Sequence, residues 1–154
     1  MPLRLLAALM LAGIFTLPRP LAADTAGPGQ KPLHAYAGVR TLLSTGSTVT
    51  GEPIHYPSGA PARITATEIT LQPGQQTGWH THPVPLVGYL LDGELTVDYG
   101  PKGKRVYRKG DALVEAMNES HNGRNTGQGP TRILAIFIGV EGSQGSTAAP
   151  PPAR

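Results

Sequence analysis

The sequence predicts an all-β domain, and three observations carry that expectation. After residue 23 no stretch sustains a helical period of apolar residues. Threonine alternates with aliphatic residues in short runs, the pattern of half-buried strands. Between those runs fall many of the chain's 20 Gly and 16 Pro, where they act as turns.

Taken in order, residues 39–43 and 52–56 are short strand candidates, the second bounded by Gly51 and Pro57. Residues 63–71 alternate Thr with Ile, Ala and Glu and end at the Pro73-Gly74 turn. Residues 78–82 follow. Residues 87–91 run into Asp92-Gly93, the strongest hairpin signal in the chain. Residues 94–99 place Leu95, Val97 and Tyr99 on one side. Shorter strands are expected at 104–107, 112–115 and 121–125. Residues 132–140 are apolar enough to be buried on both faces. Many short strands with Gly or Pro between them make a sandwich or a barrel.

The ends of the chain read differently. Arg4 precedes an apolar run over residues 5–17, Pro18-Arg19-Pro20 breaks it, and Leu21-Ala22-Ala23 supplies small residues for cleavage. Residues 1–23 are therefore expected to be a secretory signal peptide, with the mature chain starting at or near Asp24 and lying in the periplasm. The apolar run is short for a membrane span, so no stable anchor is expected after processing; an uncleaved anchor is the alternative. Residues 24–32 read as a flexible lead, 33–141 as the folded domain, and 142–154, built from Gly, Ser, Thr, Ala and Pro, as a disordered tail.

Charge excludes little and cysteine excludes much. The chain carries 13 basic and 10 acidic residues, net +3. Loss of Arg4 and Arg19 with the signal leaves 11 against 10, net +1. The basic run at residues 102–109 is bracketed by glycines and reads as a solvated hairpin tip, not a nucleic-acid surface. With no Cys, disulfides, thiolate ligands and a Cys nucleophile are excluded. Stability then rests on the core or on association, a homodimer being the simplest form.

Three of the five histidines fall in two clusters, Gly78-Trp79-His80-Thr81-His82 and Asn118-Glu119-Ser120-His121-Asn122. In a strand, residues i and i+2 share a face, so His80 and His82 point the same way. A third imidazole from a neighbouring strand, His121, would complete a nitrogen-rich site for a divalent transition metal such as Fe, Zn, Mn, Ni or Cu. His34 and His55 stand outside both clusters and read as surface residues.

The glycines around the clusters add a resemblance. Gly74 precedes His80 by six residues and Gly93 follows His82 by eleven; the second cluster opens at Gly110-Asp111 and closes at Asn125. This pattern resembles both short motifs of the cupin superfamily, in order and at the expected spacings. Three positions depart from it: Leu86 stands where the family usually has a glutamate, Ala116 where it often has proline, and Asn118 where it often has glycine. The resemblance implies a conical jelly-roll β-barrel in a single domain, with His80, His82 and His121 as metal ligands at its mouth. It also includes three-histidine members that activate oxygen, so the loss of the carboxylate leaves an enzyme open. Glu68, Glu115 and Glu119 are expected to be solvated or to support the ligands from outside, Trp79 to face away from His80, and Tyr89 is left open.

The leading functional expectation is an exported three-histidine metalloprotein acting on a small organic molecule, with oxygenase-type chemistry ahead of isomerase or lyase chemistry. The alternative is a barrel that binds a metal or a small ligand without turnover, and a metal-free barrel is the third reading. No residue stands out as a catalytic acid or base, so the catalytic residues, the substrate and the identity of the metal stay open.

Overall fold

A computed structural model describes residues 38–153. Every element described here lies in the compact unit that begins at Arg40. The expected signal peptide, the flexible lead and His34 lie outside the described residues. Among the described residues, no helix is long and apolar enough to cross a membrane.

Among the described residues nine strands form, in order: β1 Ala62–Leu71, β2 His80–Thr81, β3 Leu86–Asp92, β4 Glu94–Asp98, β5 Lys104–Arg108, β6 Ala112–Val114, β7 Asn122–Asn125, β8 Thr131–Val140 and β9 Thr147–Ala148. The one helical element described is a 3-10 turn at Gly100–Lys102. Strands β1-β8-β3-β6 make one sheet, β5-β4-β7 a second, and β2-β9 a short third. Every pairing is antiparallel. The fold is all-β, as the composition and alternation predict, and its paired antiparallel sheets are consistent with a jelly roll.

Alternation decides what the sheets bury. On β4, Leu95 and Val97 point inward, with Tyr99 following in register, and Tyr99 is 1% exposed. Leu90 from β3, Leu113 from β6 and Ile133 from β8 meet them from the other sheet. Burying a side chain such as Leu90 contributes roughly 1.5–3 kcal/mol. Strand β8 is buried at alternate positions and not throughout. The expectation of burial on both faces therefore fails: β8 lies inside its sheet between β1 and β3, but only one of its faces meets the core.

Two further expectations fail for instructive reasons. Asp92-Gly93 is a corner and not a hairpin, since β3 and β4 belong to different sheets. The register of β3 against β8 slips between Leu90 and Asp92, and the Asp92 carboxylate accepts from the Gly93 N–H at 3.0 Å. Gly93 has φ +80°, and a Cβ there would come within 2.7 Å of Thr131. Glycine is required because the chain turns sharply against a neighbouring backbone. The tight hairpin instead joins β4 to β5 through the 3-10 turn, which ends where the basic run begins, and most of that run forms β5. Residues 39–43 and 52–56 form no strand. Residues 45–54 close on themselves as a loop, with one bridge between Ser47 and Pro53.

The segment after β8 also departs from expectation. Thr147–Ala148 pairs with His80–Thr81, and the Ala149 N–H donates to the Trp79 carbonyl at 3.0 Å. Farther on, the Ser120 hydroxyl donates to the Pro150 carbonyl at 2.7 Å. A stretch with the composition of a disordered tail is held as a strap, because backbone hydrogen bonds hold it and these do not depend on side-chain identity.

Candidate metal centre

The two histidine clusters meet because their backbones pair. His80 and His121 exchange both N–H···O bonds, each at 3.0 Å, and the His82 N–H donates to the Met117 carbonyl at 2.8 Å. Gly78, at φ +82°, turns the chain into β2. Strand parity then puts His80 and His82 on one face, as expected, and the backbone pair sets His121 beside them. Ring centroids lie 4.8 Å apart for His80 and His82, 4.5 Å for His80 and His121, and 5.0 Å for His82 and His121. One nitrogen from each ring falls within 4.8 Å of the others.

Each ring is also held from behind. Nδ1 of His80 lies 2.8 Å from the Gly78 carbonyl, that of His82 2.8 Å from Gly145, and that of His121 2.8 Å from Glu119. A carbonyl oxygen only accepts, so each Nδ1 carries the proton and donates. In a neutral ring the lone pair is then on Nε2. The same assignment follows for all three rings: Nε2 is the free donor atom, and its direction is set by a backbone carbonyl. Such outer hydrogen bonds orient histidine ligands in metal sites.

Burial keeps the rings neutral. His82 and His121 are 4% and 1% exposed, and His80 is half-buried. Desolvation pushes the His82 imidazole down to about 4, and it lowers His80 and His121 as well. Neutral imidazole is the form that binds a metal. The His121 Nε2 is buried and has no hydrogen-bond partner among the described residues. A sealed nitrogen lone pair without a donor is costly, and a cation beside it would satisfy it. The residues present therefore fit a metal ion: three convergent imidazoles, fixed tautomers that leave Nε2 free, and one orphaned acceptor.

The cluster opens onto a cavity of about 540 Å³ between the two large sheets. Its wall is mostly aliphatic and includes Leu86, which is 7% exposed. A non-polar side chain thus lines the cavity at the position where the resembled family usually has a glutamate. Phe137 packs against His82, with centroids 5.8 Å apart, and Tyr99 against His121 at 5.7 Å. Ser146 and Ala148 of the strap complete the wall, and Gly145 of the same segment fixes the His82 ring. A second cavity of about 460 Å³ shares Phe137 and Ser146 but contains none of the three histidines.

Of the two places expected for Glu115, in solvent or behind the ligands, the structure takes the second: it stands outside the three-histidine group. It is buried at 7% exposure and lines the histidine cavity. Its Oε1 accepts from the Tyr99 hydroxyl at 2.7 Å and from the Ala116 N–H at 2.8 Å. Burial raises its pKa, against the hydrogen bonds from Tyr99 and Ala116 that lower it. A usable signal was present: Leu113 and Glu115 are two residues apart, so an inward Leu113 on a continuing strand carries Glu115 inward too. Trp79 borders both this cavity and a separate pocket bounded by Pro151 and Pro152. Glu119 pairs with Lys102 at 3.1 Å on the surface, and Glu68 with Arg132 at 2.7 Å, so both are solvated. Tyr89 lies on the face of β3 opposite Leu86, and His55 is exposed away from the cluster.

A family model described as Cupin domain matches residues 67–137. No curated protein matches the sequence. Among solved structures the chain is similar to oxalate decarboxylase of Lactobacillus farciminis, at 22% identity and TM-score 0.49, over 55% of this chain and 26% of that one. It is similar to a Thermus thermophilus protein at 28% identity and TM-score 0.44, over 49% and 71% of the two chains. The polyketide cyclase RemF of Streptomyces resistomycificus is similar at 22% identity and TM-score 0.46, over 52% and 56%. The chain thus spans about a quarter of the decarboxylase it resembles. Both histidine clusters and all of β3 to β7 fall inside the matched residues: residues 67–137 of the chain match the cupin domain family.

Proposed function

We propose that the protein is an exported cupin in which His80, His82 and His121 hold one divalent transition metal ion, and which acts on a small organic molecule as an oxygenase-type metalloenzyme. The observation that carries the reading is the shared arrangement: three Nδ1–H groups bound to carbonyls, which leaves Nε2 as the free donor of each ring, and one ring nitrogen from each histidine within 4.8 Å of the others. When bound, the ion supplies Lewis-acid or redox chemistry to a molecule in its open positions.

The chain's own residues do the rest. Three neutral imidazoles bring no negative charge, so the centre favours an anionic group on its ligand. The aliphatic wall takes the ligand's apolar part and excludes water from it. Glu115 is the carboxyl on that wall, and only its Oε1 is hydrogen-bonded among the described residues. Its Oε2 is the atom left to a polar group of the ligand. Engagement of Oε1 by Tyr99 and Ala116 also supports the alternative, a non-catalytic metal or ligand binder, because a held carboxyl orients a ligand without turnover.

Elemental analysis of protein purified from its native compartment, with an oxygen-uptake assay, separates the two. Stoichiometric Fe with uptake is the expected result. Tightly held Zn without turnover would favour the binder. Export rests on residues 1–23; N-terminal sequencing of the mature protein is expected to begin at or near Asp24, and retention of residues 5–17 would contradict it.

A further inference from the structure

The loop at residues 45–54 lies outside the part of the chain that matches the family. It is built around one carboxylate. Glu52 Oε2 accepts from the Thr48 hydroxyl at 3.2 Å, the Thr50 hydroxyl at 2.9 Å and the Met117 N–H at 2.8 Å. Its Oε1 accepts from the Asn118 N–H at 2.8 Å and the Asn118 side-chain amide at 3.2 Å. Five donors on one half-exposed carboxylate are more than a loop needs to close. The loop also closes without the carboxylate, since the Thr48 N–H donates to the Glu52 carbonyl at 2.9 Å and the Glu52 N–H to the Thr48 hydroxyl at 3.1 Å.

Both backbone donors belong to the turn that leads into His121. The Met117 carbonyl in that same turn receives the His82 N–H at 2.8 Å. One carboxylate therefore holds, through two adjacent peptides, the approach to one imidazole and the backbone of another. The loop is itself tied to the barrel by the Val49 N–H, which donates to the Val114 carbonyl at 2.9 Å. We propose that Glu52 is a positioning residue of the metal centre: it pins the Met117–Asn118 turn and so sets His82 and His121 relative to each other. This rests on the metal reading above. It adds a residue that neither histidine motif contains.

Glu52→Gln is the direct test, because each Glu52 oxygen faces a backbone N–H and neither orientation of the amide suits both. The probe is Co(II) alone, titrated against a chromophoric chelator, with the visible d–d spectrum of the saturated protein as second readout. Co(II) affinity of E52Q is expected to fall about 10- to 100-fold, the range for residues that orient metal-bound ligands, with shifted d–d bands. Glu68→Gln, a like change of charge on a surface pair, should stay within about twofold, as surface substitutions do. A residue that only stabilises the loop would lower the melting temperature and leave affinity and spectrum of the folded protein unchanged; that result overturns the inference. Should E52Q not fold, Thr50→Val removes one donor and keeps the carboxylate. It must then weaken Co(II) by at least about twofold, the loss of one hydrogen bond to a charged group, or the inference fails. If the unaltered protein takes up no Co(II), the metal reading itself fails, and this inference with it.

Discussion

The histidine-bearing strands and the strap that follows β8 build the same centre by opposite means. The strands contribute side chains: His80, His82 and His121 are brought together by parity and by one backbone pair, and they are the candidate ligand group among the described residues. The strap contributes backbone: the Gly145 carbonyl fixes His82, and residues 147–149 pair with residues 79–81. Side-chain chemistry is thus concentrated where the family motifs lie, while orientation is supplied from flanking segments by groups that every residue possesses. The centre should accordingly be broken by substitution on one side and by deletion on the other.

Deletion gives the larger effect. A chain ending at Glu141 keeps both large sheets and should fold, but His82 loses its carbonyl and the cavity loses a wall. Metal affinity is expected to fall about 10- to 100-fold, as for loss of a partner that orients a ligand. In the full chain Thr147→Ala should change it by about twofold at most, since that side chain is exposed. Equal affinity of the truncated and full chains, measured by chelator competition, would show that the strap only covers the site.

Substitution within the cavity sharpens the contrast. Leu86→Glu adds a second carboxyl, after Glu115, to the cavity wall that holds the neutral imidazoles. Metal affinity should rise on the order of tenfold, because an anion pairs with an uncompensated cation, and azide binding should weaken as the net charge at the ion drops. The opposing effect is a buried charge without a partner, which would appear as a lower melting temperature in the metal-free form. A folded L86E with unchanged metal and azide affinity would mean that Leu86 does not face the ion.

The smallest effect is on stability. The three imidazoles are held neutral in the fold, His82 down to about 4. An unfolded histidine titrates near its ordinary value of about 6.5, so the unfolded chain takes protons first as pH falls. The contribution is complete above the unfolded value and is lost between there and about 4 for His82. Glu115 carries the opposite sign: its raised pKa lets the folded state hold a proton that the unfolded chain releases. The test therefore uses metal-free Glu115→Gln, whose urea stability should drop on the order of 1 kcal/mol between pH 7 and pH 6. No drop would mean that the rings are not desolvated as described.

What could be read in the sequence follows the same division. His80, His82 and His121 were visible because strand parity and flanking glycines act over a few residues. The inward set Leu95, Val97 and Tyr99 was legible for that reason too. Asp92-Gly93 misled because a sheet-switching corner and a hairpin share local turn chemistry; only the partner strands distinguish them. The strap was invisible because its bonds come from Gly145, Ala148 and Ala149 backbones and carry no side-chain signature. Glu52 was hidden by distance, with its backbone partners lying 65 and 66 residues away.

The central claim is that three imidazoles, through Nε2, hold one metal ion. Metal stoichiometry of the purified protein and of the triple variant His80→Ala, His82→Ala, His121→Ala, measured by elemental analysis after identical loading with a divalent ion, tests it most directly. Stoichiometric metal in the first and none above background in the second, with both folded by circular dichroism, is the predicted result. Equal metal in the two would contradict the account.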